Sequence, residues 1–120
     1  MKVAVSSLGR SLDDRVDERF GRAAYLIFVD QDTLATEVVD NAANRDALQG
    51  AGIGAAEKVS EGGASAVITG HLGPKAYSAT KAAGIKGYNG TGMTVRDAVE
   101  AFKAGQLPEL DEGEAHAGIQ

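Results

Sequence analysis

The sequence predicts an α/β domain built on a mixed sheet with helices covering it. Two observations lead there. Three strand-like segments fall within the first 41 residues with no helical period between them. From residue 50 onward, helical periods and short apolar strands alternate. The first pattern implies hairpin-joined antiparallel strands and the second implies parallel βαβ units. The predicted order is β-β-β-α-β-α-β-α.

Residues 2–7 (KVAVSS) alternate around Val3 and Val5 and form the first strand. Residues 8–22 are polar and turn-rich and read as a long loop. Residues 24–30, with the apolar run Tyr25, Leu26, Ile27, Phe28 and Val29, form the second strand. Asp30, Gln31, Asp32 and Thr33 suit a tight turn, and residues 34–41 (LATEVVDN) return as the third strand. Residues 42–49 read as a loop.

In residues 50–63 (GAGIGAAEKVSEGG), Ile53, Ala56 and Val59 share a helical face, and Gly62 and Gly63 stop the helix. Residues 65–69 (SAVIT) are the fourth strand. Pro74 suits the first position of the next helix and Gly84 its end. Residues 85–88 are a short fifth strand, and residues 89–92 (NGTG) are a loop. Thr94 caps a third helix whose Val95, Ala98, Val99 and Phe102 fall at i, i+3, i+4 and i+7. Gly105 ends it. The expected organisation is one domain over residues 1–106 and an acidic, mobile tail over 107–120. There is no internal repeat.

Composition excludes several functions. With 120 residues, 43 % of them hydrophobic, the chain can bury one core. No apolar run is long enough to span a bilayer, and the N-terminus has no signal-peptide pattern. Cysteine is absent, which removes disulfides, thiolate metal sites and thiol nucleophiles and suits a cytoplasmic location. The net charge is −5, but Glu109, Asp111, Glu112 and Glu114 account for −4 of it, leaving residues 1–106 at −1. No concentrated basic face is visible, so neither nucleic acid nor membrane is an expected partner.

If the second strand runs antiparallel to the first and third, the other four strands can all run parallel. Every loop after those four then gathers on one edge of the sheet. That edge collects Arg19, Phe20, Gly21 and Arg22, then Asn41, then Gly50, Gly52 and Gly54. It also collects Gly70, His71 and Gly73, and Asn89, Gly90, Thr91 and Gly92. The three helices start there, and helix N-termini favour anions. Glycines allow close approach to backbone, and this carboxyl edge is where open α/β sheets bind ligands. Phe20 and Met93 are candidate apolar contacts. Plainer readings stand beside these. The glycines of residues 50–54 can serve helix packing. Arg19 and Arg22 can pair with Asp13, Asp14, Asp17 or Glu18, and His71 can be merely structural.

Familiar catalytic motifs do not fit. Leu8, Gly9 and Arg10 follow the first strand where a dinucleotide site would have GxGxxG, and no GxxxxGK[ST] occurs. Asp13, Asp14, Asp17 and Glu18 leave a metal-dependent nuclease as a remote alternative. However, the first strand carries no acid, and these acids alternate with Arg15 and Arg19. Ser6, Ser7 and His71 could share the edge, yet no triad can be argued from their spacing.

Taken together, KVAVSS, LDDRVDERFGRAAYLIFVD, GAGIGAA, SAVITGHLGPKA, GIKGYNGTG and TVRDAVEAFKAG resemble the dinitrogenase iron–molybdenum cofactor biosynthesis family over residues 1–106. The resemblance implies a ribonuclease H-like three-layer α/β/α fold. Its five-stranded mixed sheet has order 3-2-1-4-5, with the second strand antiparallel. It implies non-covalent binding of a metal–sulfur cluster, of molybdenum–copper or iron–molybdenum cofactor type, for storage, transfer or sensing and not for catalysis. Cofactor-donor or cofactor-acceptor proteins would be the partners. Some carriers of the family use a histidine, which makes His71 the candidate metal ligand within residues 1–106. The expected cofactor-binding residues are Arg19, Phe20, Gly21, Arg22, Asn41, Gly52, Gly54, Gly70, His71, Gly73, Asn89, Gly90 and Met93. Soft metals usually demand thiolates. With no cysteine, and only Met1 and Met93 as thioethers, the chain would hold a preassembled sulfide anion. The alternative is a protein-interaction or regulatory module without a cluster. The oligomeric state stays open.

Overall fold

The structure, a computed structural model, describes residues 1–46 and 50–110. The strands are β1 (Lys2–Ser7), β2 (Tyr25–Asp30), β3 (Thr36–Asp40), β4 (Ala66–Thr69) and β5 (Lys86–Asn89). They form one sheet in the order β3-β2-β1-β4-β5. β2 runs antiparallel to β1 and to β3, while β4 is parallel to β1 and β5 to β4. Order and directions are those the sequence led us to expect.

The period-2 alternation of the strands separates two cores. Ala4, Leu26, Phe28 and Val67 point to one face and pack with Ala55, Ala56 and Val59 of α2 (Ala51–Glu61) and Ala76 of α3 (Pro74–Ala82). Val3, Val5, Ile27, Val29 and Ile68 point to the other and pack with Val95, Ala98 and Val99 of α4 (Val95–Lys103). The result is three layers, with α2 and α3 on one side of the sheet and α4 on the other. Among the described residues no helix is long and apolar enough to cross a membrane.

Besides small shifts at strand ends, such as β3 starting at Thr36 and not at 34, three segments differ from the sequence reading. Within the stretch read as loop 42–49, a single helical turn, α1 (Ala42–Arg45), opens where Asp40 Oδ1 accepts the Ala42 N–H at 2.8 Å. Four residues are too few to show a period, and residues 47–49 lie outside the described ones. The 8–22 loop is laced to its neighbours: Leu8 N–H bonds Arg15 O, Asp17 N–H bonds Ser6 O, and Val16 N–H bonds Met93 O. Finally, the packed region continues past residue 106. Leu110 N–H donates to Gly87 O at 2.7 Å and Asn89 N–H to Pro108 O at 2.9 Å. Leu107 and Leu110 are only 9 % and 4 % exposed. The segment therefore borders β5, with Tyr88 paired to Glu109. Two leucines three residues apart carry no pattern that would mark this docking. The expectation of a mobile tail otherwise falls on residues 111–120, outside the described residues.

Candidate functional site

A cavity of about 650 Å³ opens at the carboxyl edge of the parallel strands, on the face covered by α2 and α3. Residues 18–22 form its first wall, Gly50, Ala51 and Gly52 its second, and His71, Gly73, Pro74, Lys75 and Ala76 its third.

The first wall is anchored from within. Phe20 is 2 % exposed and belongs to the core under α2 and α3, so its ring pins the segment while lining the cavity. Asp17, 3 % exposed, takes Arg19 in a fork: Nε donates to Oδ1 and Nη2 to Oδ2, each at 3.1 Å. The Arg19 backbone N–H adds a bond to Oδ1 at 3.0 Å. Hydrogen bonding to Asp17, then its charge, raises the guanidinium pKa above its ordinary value. The Arg19 side chain stays 61 % exposed, and a guanidinium has five N–H donors, so the fork does not exhaust it. Arg22 is exposed and donates from Nη1 to Arg45 O at 2.6 Å. Gly21 has no substitute here, because a Cβ on it would fall 2.6 Å from Gly52 N.

The second and third walls are helix starts. Gly50 (φ 80°) and Gly73 precede α2 and α3, no side chain caps either helix, and neither has an acid in its first turn. By contrast, in α4 Thr94 Oγ1 accepts from Asp97 N–H at 3.1 Å and Asp97 occupies the first turn. The cavity thus meets two helix ends that have neither a capping side chain nor a first-turn acid to offset their positive partial charge, while Glu18 of the first wall brings one carboxylate to the same cavity. Gly52 lets them converge, since a Cβ on it would sit 3.0 Å from Ala76 Cβ. Buried Leu72 holds the loop that presents half-buried His71, whose backbone pairs with Arg19.

The sequence reading names Arg19, Phe20, Gly21, Arg22, Gly52, His71 and Gly73 among the residues that form these walls. It also names six that do not. Asn41 is fully buried behind the first wall, donating to Gly21 O at 3.1 Å and Ala23 O at 2.9 Å. Gly54 faces Asn44. Gly70 packs on Glu18 and Thr91, and Gly90 on Ile68 and Ala98. Asn89 Oδ1 accepts the Thr91 N–H at 3.0 Å. Met93 packs on the α4 side of the sheet. These residues shape the edge because consecutive strand positions point to opposite faces, which loop membership alone does not reveal. Lys75 was missed. A basic residue in a first helical turn with no acid, straight after Gly73 and Pro74, was the available signal.

The serines and acids of the alternative readings have partners of their own. Ser6 Oγ donates to Asp17 O and Ser7 Oγ to Gly9 O, each at 2.7 Å, so both hydroxyls serve the backbone. Asp14 Oδ2 accepts the Ser11 N–H, and Asp13 pairs with Arg96. Among the described residues, no three or more His, Asp or Glu side chains are grouped to hold a metal ion.

Comparison with known proteins agrees with the fold. The apo form of the orange protein from Desulfovibrio gigas is 48 % identical, over 90 % of this chain and 91 % of that one, with a TM-score of 0.86. A Thermotoga protein solved by NMR is 38 % identical, over 91 % and 92 % of the two chains, with a TM-score of 0.79. An uncharacterized protein of Methanocaldococcus jannaschii is 27 % identical over 115 residues, 92 % of this chain and 97 % of its own. The family model described as dinitrogenase iron-molybdenum cofactor matches residues 1–105, and the chain belongs to that family.

Proposed function

We propose that the protein is a carrier that holds a preassembled, anionic metal–sulfur cluster in this cavity without covalent attachment. The observation that carries the reading is the meeting of two uncapped helix starts with three cations, Arg19, Arg22 and Lys75, against one carboxylate, Glu18, around a glycine-walled cavity. Such a site compensates negative charge through N–H donors. Its donor set has no thiolate, so the cluster brings its own sulfide and the protein supplies charge, shape and apolar contact through Phe20. Membership in the cofactor family supports this cargo over other anions. Molybdenum–copper and iron–molybdenum clusters both fit the chemistry. His71 is the nitrogen donor of the lining able to add a metal bond. Binding without strong ligation suits storage or transfer between cytoplasmic donor and acceptor proteins, and no catalytic step is assigned.

The test is a titration of the apo protein with a preformed copper–thiomolybdate cluster, at low and high salt, beside an iron–molybdenum cofactor precursor. A charge-assisted hydrogen bond contributes about 1.5–3 kcal/mol, so Arg22→Ala should weaken uptake by about ten- to a hundredfold. His71→Ala should weaken it without unfolding the protein. Salt should weaken binding at this open site. Uptake of neither cluster by the wild type would overturn the reading in favour of an interaction module.

A further inference from the structure

α1 sits behind the cavity, and asparagines in and beside it reach two of the walls. Asn44 Nδ2 donates to Ala51 O at 2.7 Å and to Gly21 O at 3.4 Å. One amide thereby joins the first residue of α2 to the segment that carries Arg19 and Arg22. Asn41 Nδ2 bonds the same Gly21 carbonyl at 3.1 Å. In a trans peptide the carbonyl and the following N–H point opposite ways. Holding Gly21 O therefore turns the Arg22 N–H away from the asparagines. Gly54 is absent from the walls, yet a Cβ on it would collide with Asn44 Oδ1. The amide is the free end of a side chain, whereas Gly54 is fixed within α2. The amide is therefore the partner that yields.

We infer that Asn44 is the positioning residue that sets the gap between residues 19–22 and the start of α2, and that Gly54 acts on the cavity only through Asn44. The affinity consequence rests on the cluster-carrier reading. A helix that contributes Ala51 and Gly52 to the wall thus carries a further glycine, Gly54, one turn later, outside the cavity lining, to leave space for the Asn44 amide.

The experiment is a cycle of Asn44→Ala, Gly54→Ala and the double variant, titrated with the preformed copper–thiomolybdate cluster. Loss of one hydrogen-bonded bridge corresponds to about a tenfold loss of affinity for each single variant. The double variant should bind no more weakly than Asn44→Ala, because without the amide the new methyl group has room. Val59→Ala, in the core at the far end of α2, should lower the melting temperature and leave affinity unchanged, which separates positioning from general destabilisation. Wild-type affinity in Gly54→Ala, or losses that multiply in the double variant, would overturn the inference. Should the wild type take up no cluster, the carrier reading fails by itself and the clamp is judged on backbone amide resonances. Gly54→Ala should then shift Gly21 as Asn44→Ala does, with no further shift in the double variant. An unmoved Gly21 would reject the clamp.

Discussion

Arg19 and Lys75 present charge to the same cavity on different terms. Arg19 is committed to a buried carboxylate, so Arg19→Ala would strand Asp17 and confuse lost binding with lost stability. Lys75 is exposed in the second position of α3, where a cation opposes the helix dipole. An anion in the cavity would reverse that balance. Lys75→Ala should therefore stabilise the apo protein slightly, by about 0.3–1 kcal/mol, while weakening cluster uptake. Urea unfolding of the apo protein beside the cluster titration checks both signs. A loss of stability together with unchanged uptake would make Lys75 an ordinary surface residue.

At the scale of elements, the turn between β2 and β3 shows a side chain deciding where a strand begins. Asp30 Oδ1 accepts the N–H groups of Asp32 and Thr33 at 2.9 and 3.0 Å, and Asp30 O accepts that of Leu34 at 2.8 Å. This winds the chain through a helical turn and leaves Leu34 at φ 63°. β3 consequently starts at Thr36, two residues later than the apolar pattern suggests. The N–H bonds from Thr33, then Asp32, hold the Asp30 carboxyl below its ordinary value. A depressed carboxylate contributes stability that is present above its unfolded pKa and lost as pH falls through the folded one. Asp30→Ala should therefore destabilise the protein at neutral pH and converge with the wild type in strong acid. Urea midpoints measured across the acid range test this. A pH-independent difference would assign the effect to backbone conformation instead.

For the whole molecule, the docking of residues 107–110 borders β5 and feeds both cores, Leu110 beneath α3 and Leu107 beneath α4. Gly87, whose carbonyl accepts the Leu110 N–H, makes room for buried Leu72: a Cβ there would meet Leu72 at 2.6 Å, whereas Leu110 lies at ordinary contact distance, 3.7 Å. Burial of a leucine side chain contributes about 1.5–3 kcal/mol. A chain ending at 106 should therefore be several kcal/mol less stable than one ending at 110, by equilibrium denaturation. Equal stability would show that Leu107 and Leu110 rest on a core that stands without them.

The sequence alone determined the strands, because the pattern around Val3 and Val5 and the apolar run of residues 25–29 are local properties, while the sheet order was implied by the family resemblance. The sequence also led to the expectation that Arg19, Gly21, Gly52 and His71 share one edge, on the condition that the second strand runs antiparallel to its neighbours, as it does. Only the tertiary structure decided which edge residues face the cavity. It committed Arg19 to Asp17, sent Met93 to the α4 layer, and recruited Asn44 and Lys75, which no motif marks. Those outcomes depend on which sheet face each helix covers and on contacts between residues far apart in the chain. Pairwise distances of that kind leave no period in the sequence.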